Sequence, residues 1–362
     1  MLKVLVAMSG GVDSSVAAAL LKKKGYHVSG IRMKIWDGVT LPLERKSRAC
    51  YGPGEEENTE DARKASQVLG IPFYALDLRQ EYKTEVLGYF YHEYLSGRTP
   101  NPCLKCNHRV KFGALLRKAL DSGIEFDYFA TGHYARVEYN KNSHRYLLKK
   151  AKDLKKDQSY FLASLSQEQL GRSLFPIGGY TKDEVRNIAR EFGLGVENKP
   201  ESQDFIAAGY YSLIDIDTVQ PGLIINKQGD ILGKHRGIPF YTIGQRKGLG
   251  ISGKEPSYVT DIDPEKNTIT VGSREELFHD ELFASRLNWI SIEKIEQSLK
   301  VKAKIRYIHP EEEATVTPVD SDKVYVKFEK PQRAITPGQI VVFYQGDVVV
   351  GAGTIEKSKD DY

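Results

Sequence analysis

The chain is poor in sulfur and has no long apolar run. Three cysteines and three methionines in 362 residues are too few thiols for a secreted disulfide framework. They fit a reducing cytosol with reactive or metal-binding cysteines. No stretch approaches the roughly twenty apolar residues needed to cross a bilayer, so no membrane partner is expected. Neither charge sign dominates: a net charge of +4 permits a nucleic-acid partner without establishing one. Internal repeats and low-complexity tracts are also missing. The remainder, 40% hydrophobic and 28% charged, is the composition of a soluble folded protein long enough for two or three domains.

The most informative segment is Ser9-Gly10-Gly11-Val12-Asp13-Ser14-Ser15, where an apolar strand, Leu2–Met8, gives way to a helical pattern. A Gly-rich turn between strand and helix gathers backbone N–H groups and the positive helix end around one anion. The serine hydroxyls add donors, and Asp13 is a candidate for holding Mg²⁺. Because no lysine precedes the last serine, this is not a Walker A loop gripping a γ-phosphate. It resembles the pyrophosphate loop of the ATP-pyrophosphatase superfamily, whose members adenylate a carbonyl oxygen with ATP. The plain alternative is a strand–turn–helix corner with small residues. A loop beginning at residue 9 leaves little room for a cleavable presequence, so a cytoplasmic protein is expected.

Strand and helix alternate through the first two hundred residues. Val16, Ala19, Leu20 and Lys23 recur at helical spacing over Ser14–Lys24; His27–Trp36, Pro72–Leu78 and Tyr128–Thr131 read as strands. Asn58 is expected to cap a helix running to Leu69, and a helical region through Thr181–Phe192 completes the domain. The pattern implies an α/β, doubly wound parallel sheet with ligands at the strands' carboxyl ends. Beyond about residue 205, turn clusters at Asn226–Asp230, Asp263–Asn267 and Asp320–Asp322 separate short β-rich runs. The expected division is 1–204 as the nucleotide domain, 205–284 as a small mixed central domain and 285–362 as a β-barrel. In the last, Lys302, Lys304 and Arg306 alternate with Val301, Ala303 and Ile305, a cationic stripe that suits RNA or a solvated sheet face equally.

A second site is Gly97-Arg98-Thr99-Pro100-Asn101-Pro102-Cys103-Leu104-Lys105-Cys106-Asn107, preceding a helix with a stripe of Phe112, Leu115, Leu116, Ala119 and Leu120. A helix N-terminus with Lys105, His108 and Arg109 nearby is expected to lower the Cys106 pKa into the nucleophilic range. One C-x-x-C is half a zinc site at most. Cys50 and His108 would have to complete it, and inert structural thiols are the remaining alternative.

These two segments, together with Thr131-Gly132-His133-Tyr134, Lys156-Asp157-Gln158-Ser159-Tyr160, Pro200-Glu201-Ser202-Gln203-Asp204 and Gly244–Gly250, resemble the tRNA-specific 2-thiouridylase (MnmA/TrmU) family over essentially the whole chain. The resemblance implies a PP-loop (adenine nucleotide hydrolase-like) domain, a central domain and a C-terminal barrel. It also implies ATP-dependent, AMP-forming 2-thiolation of the wobble uridine of tRNA. ATP would be bound by Ala7, Met8, Ser9, Gly10, Gly11, Val12, Asp13 and Ser14, with Met33 and Gly132 lining the adenosine pocket. Asn101, Pro102 and Cys103 would face the target base, and His133, Lys156, Asp157, Gln158, Arg306, Tyr307 and Gln339 would contact tRNA. The cationic run Lys149, Lys150, Lys152, Lys155 and Lys156 suits phosphate neutralisation. Cys106 occupies the catalytic cysteine position. A cysteine desulfurase or relay protein would donate sulfur, and a monomer is expected.

One departure stands out: family members of the two-cysteine type carry a persulfide thiol where this chain has Ile206. Three routes stay open. Cys103 pairs with Cys106; or Cys50, Cys103 and Cys106 hold an iron–sulfur cluster; or thiolation is lost, leaving a paralogue that binds ATP and tRNA.

Overall fold

Strand β1 (Lys3–Ala7) buries Val4 and Val6 on one face and Leu5 on the other, the two-sided burial of a central parallel strand. A computed structural model of the chain describes residues 1–38, 49–197, 199, 206, 219–251 and 255–357. Helix α1 (Val12–Lys23) follows β1 after a short turn, two residues earlier than the spacing suggested, with Gly11 as its N-cap. Strand β2 (His27–Lys34), helix α2 (Glu55–Leu69), strand β3 (Phe73–Asp77) and strand β4 (Tyr128–Thr131) come next. Hairpin β5 (Ala135–Asn140) and β6 (Arg145–Lys150) precedes the short β7 (Ser173–Leu174). The parallel sheet runs β3-β2-β1-β4-β7. Chain order reverses between β1 and β4, which opens a crevice at their carboxyl ends.

The capping expectation at Asn58 is corrected. Helix α2 starts at Glu55 behind Gly54, with no side-chain cap. The Glu55 carboxylate instead accepts the backbone N–H of Ile35 (2.7 Å) and Trp36 (3.1 Å), which ties the helix start to the chain leaving β2. The helix over Lys182–Glu191 does carry a full capping box, Thr181 with Glu184.

Central strands β8 (Gly222–Ile225), β9 (Ile231–His235), β10 (Tyr258–Asp263) and β11 (Thr268–Gly272) form one sheet in the order β10-β11-β8-β9. The third unit contains β12 (Phe278–Trp289), β13 (Leu299–Lys304), β14 (Glu312–Pro318), β15 (Lys323–Arg333), β16 (Ile340–Gln345) and β17 (Val348–Ile355). They close into a barrel, β12-β15-β14-β13-β16-β17, with β17 paired back to β12. All three turn clusters lie between consecutive antiparallel strands. Hairpin β5–β6 of the first unit joins the barrel at Val348, opposite Lys149. One core accordingly contains Tyr160 and Leu162 beside Val342, Tyr344 and Val349. Among the described residues no helix is long and apolar enough to cross a membrane.

Candidate active site

The turn after β1 is shaped by two glycines with no room for a side chain. Gly10 has φ +79°, and a Cβ there would lie 2.2 Å from the carbonyl oxygen of Asn58. Gly132, at the end of the neighbouring β4, would place a Cβ 2.5 Å from the Ser14 nitrogen. The loop is braced internally. Ser9 N–H donates to Ser14 Oγ (3.1 Å), Gly11 N–H to Ser9 Oγ (3.3 Å), and Ser15 Oγ–H to the Gly11 carbonyl (3.0 Å). Such an arrangement at a helix N-terminus presents N–H groups and hydroxyls to an anion. Met8 is buried beneath it, and Met33 is half-buried at the end of β2.

Asp13 is not presented as an open metal ligand. Both its oxygens accept from Lys182 Nζ (2.8 Å each), and Oδ1 also accepts from the Tyr134 hydroxyl (2.8 Å). Lys182 is the first residue of its helix, where a cation opposes the macrodipole. That position is the sequence signal that Lys182 has a partner outside its own helix, here Asp13. Lys199 ties the loop from the other side: its Nζ donates to the Gly10 carbonyl (3.1 Å) and Asn58 Oδ1 (2.9 Å) and pairs with Asp61. Lys182→Met is expected to lower unfolding free energy by about 2–3 kcal/mol. This is under the ~3–5 kcal/mol of a fully buried pair because the Asp13 side chain keeps 28% exposure. Urea titration checks it.

The thiol turn departs from expectation. Its helix begins at Pro102, with Asn101 Oδ1 accepting Leu104 N–H as the N-cap (3.3 Å). Cys106 therefore lies a full turn inside. From Cys106 to Ala114 the winding widens to i→i+5 bonding, as in Leu115 N–H to the Val110 carbonyl, a distortion common at functional sites. Burial pushes the Cys106 thiol up to about 11, with nearby Lys111 opposing and Cys50 adding to the rise. The expected lowering is not found, because burial outweighs the nearby positive charge. In the apolar stripe, Phe112, Leu115 and Ala119 are buried while Leu120 is exposed.

No disulfide joins the cysteines, and among the described residues no three His, Cys, Asp or Glu side chains are grouped to hold a metal ion. The three thiols nonetheless share one neighbourhood. Tyr82, whose pKa burial raises well above the ordinary value, feels Cys106, Cys50 and Cys103 in turn. Ile206 is buried there too, in a parallel bridge with Tyr51, the residue after Cys50. The Pro200–Asp204 motif itself lies outside the described residues. Since only thiolates alkylate readily, iodoacetamide near pH 7 is expected to label Cys106 slowly. Labelling of Cys106 should rise steeply as pH climbs toward about 11. Peptide mass spectrometry reads the rate, and fast Cys106 labelling at neutral pH would contradict the burial argument.

Most residues expected at the RNA surface are engaged within the fold. Asp157 is buried and accepts from Ala151 N–H (2.9 Å) and Ser159 Oγ–H (2.7 Å); Gln158 Oε1 accepts from Tyr134 N–H (2.9 Å). Arg306 donates to the carbonyls of Arg333 (2.7 Å) and Ala334. Tyr307 packs on Phe161, ring centroids 4.4 Å apart. Gln339 Nε2 donates to the carbonyls of Thr99 and Pro100, 3.0 Å each. The imidazole of His133 lies beside Phe112 and Phe175, with Nδ1 2.7 Å from Thr131 Oγ1. Burial drives its pKa well down, leaving it neutral. In the lysine run, Lys149 pairs with Glu138 (3.2 Å), Lys150 with Glu311 (2.7 Å) and Lys152 with Glu184 (3.0 Å). The same holds for the barrel stripe, where Lys302 pairs with Glu313 (3.4 Å).

Comparison with known proteins agrees with this layout. A family model described as the tRNA methyl transferase HUP domain matches residues 2–208; its PRC-barrel domain matches 213–273, and an aminomethyltransferase β-barrel domain matches 279–355. A tRNA-specific 2-thiouridylase MnmA 2 from Thermoanaerobacter sp. (strain X514) is 51% identical over 361 residues, 98% of each chain. Proteins named tRNA-specific 2-thiouridylase MnmA from Acetivibrio thermocellus and Clostridioides difficile are each 49% identical, covering 98% of this chain and 99% and 98% of theirs. With matches of this length and identity joined to a pyrophosphate-type loop, a thiol helix and a closed barrel, the chain belongs to the tRNA-specific 2-thiouridylase family.

Proposed function

We propose that this protein uses ATP to replace the C2 oxygen of a tRNA wobble uridine with sulfur. The observation that carries the reading is the glycine-only contact of Gly132 with Asp13 and Ser14 across the sheet's switch point, beside the equally tight approach of Gly10 to Asn58. ATP phosphates would lie on that turn and adenosine between Met33 and Gly132. Uracil C2 is a poor electrophile because its oxygen leaves badly. Attack of O2 on the α-phosphorus expels pyrophosphate, and N3 gives up its proton. A persulfide on Cys106 then adds its terminal sulfur to C2, and the C2–O bond breaks to release AMP. Cys103 attacks the Cys106 sulfur, forming a Cys103–Cys106 disulfide and freeing the thiocarbonyl base, whose N3 regains a proton. A cellular dithiol restores both thiols. The wobble base lies in a single-stranded loop, so presenting it costs little. Asn101 and Pro102 would border it, and Lys155, Lys156 and Arg306 with Tyr307 would lie along the RNA.

Mg²⁺ fits this loop as an ion carried in on the phosphates, since Lys182 and Tyr134 engage Asp13. An iron–sulfur cluster has its three cysteines in one neighbourhood but no coordinating group among the described residues, so no step is assigned to one. The partners are a wobble-uridine tRNA and a sulfur-donor protein, in the cytosol, with the enzyme a monomer. Ile206 favours a second reading, a paralogue that binds ATP and tRNA without thiolating. Incubation with ATP, a persulfide donor, a dithiol and unmodified tRNA, followed by a thiol-affinity gel, separates them. A retarded tRNA band is expected; its absence, with ATP and tRNA binding intact, establishes the paralogue.

A further inference from the structure

The segment Arg98–Asn101, which leads into the thiol helix, is held from three sides. From the first unit, Glu93 Oε2 accepts from Arg98 Nε at 2.8 Å. At the carboxyl end of β17, the Ile355 carbonyl accepts from Arg98 Nη2 at 3.4 Å, and Glu356 Oε2, one residue beyond the strand, accepts from Nη1 at 2.6 Å. Pro337 carbonyl accepts Thr99 N–H at 2.8 Å, and from the central unit Thr242 meets the Thr99 hydroxyl. Gly338, at φ +89°, has no space for a Cβ, which would lie 2.9 Å from Thr99 backbone atoms. Both N–H bonds of the Gln339 amide end on this segment, at the Thr99 and Pro100 carbonyls.

We infer that the barrel is a clamp for the base-facing turn, and that Gln339 and Arg98 are positioning residues that set where Asn101, Pro102 and Cys103 stand relative to bound ATP. The inference rests on the thiolation reading above. An amide whose two donors already serve backbone carbonyls keeps only its carbonyl oxygen for RNA, so the larger expected contribution of Gln339 is to turnover rather than to tRNA affinity. The Arg98 fork is planar and bidentate, a geometry lysine does not reproduce. A sub-ångström drift of the turn is enough to matter, since misplacement of about 1 Å costs on the order of a hundredfold in rate.

The test is steady-state thiolation by wild type, Gln339→Met and Arg98→Lys, with ATP, a persulfide donor and a dithiol in excess and tRNA varied. A separate filter-binding curve for tRNA is measured for each. For both variants kcat is expected to fall about tenfold or more, with KM and Kd for tRNA within about twofold of wild type. A rise in KM and Kd with kcat unchanged makes Gln339 an RNA contact and overturns the inference; unchanged constants overturn it as well. Wild type that binds tRNA but does not thiolate overturns the underlying reading instead. If Gln339→Met does not fold, Arg98→Lys carries the same decision.

Discussion

Cys106→Ala is expected to lose thiolation by at least about a thousandfold while ATP binding stays within about twofold, because a covalent sulfur carrier has no substitute once its atom is gone. The stability cost is small, about 1 kcal/mol, since the change removes a single sulfur atom. The comparison that decides the role is Cys103→Ala. In the C-x-x-C route Cys106 still accepts sulfur and attacks once, so Cys103→Ala should stall after a single turnover with the tRNA joined to Cys106 through a disulfide. Non-reducing gels of enzyme with labelled tRNA detect that adduct, and a dithiol should release it. If Cys106→Ala keeps turning over, the nucleophile lies elsewhere, and Cys50, which raises the Cys106 pKa from close by, is the next residue to change.

Gly132→Ala should be nearly as damaging, by a different route. The added carbon would lie 2.5 Å from Ser14 N and 2.6 Å from Asp13 C, both backbone atoms that cannot step aside without unseating the start of α1. Expected are a stability loss of about 1–3 kcal/mol from overpacking and a fall of about a hundredfold in tRNA-dependent pyrophosphate release. tRNA binding, read separately by filter retention, should hold. A variant with unimpaired pyrophosphate release would mean that the contact between β4 and the loop does not shape the nucleotide site.

The parallel sheet and its loop were readable because their causes are local. The unbroken apolar run of β1, glycines where only glycine fits and a Thr181–Glu184 capping box all leave marks in sequence. The state of the thiols was not readable. The expectation at Cys106 assumed a helix starting next to it, whereas Pro102 and the Asn101 cap start the helix four residues sooner, and burial then dominates. The charge run also changes character in the fold. Lys149, Lys150 and Lys152 look like an open cationic stretch until strands β5, β6 and the barrel bring Glu138 and Glu311 against them and the following helix supplies Glu184. The meeting of Gln339 with the turn after Arg98 was hidden for a related reason: 240 residues separate Gln339 from Thr99 and 239 from Pro100, and no local pattern encodes it.

The hairpin β5–β6 belongs by chain order to the nucleotide unit and by hydrogen bonding to the barrel's edge. Tyr344 and Val349 share a core with Tyr160 and the thiol-bearing helix. Cutting the chain before β12 would therefore strip the nucleotide unit of an inner wall and bare the free side of β6. The two ends of the polypeptide should melt in a single cooperative transition, and a fragment containing only the first unit should precipitate rather than report on ATP binding.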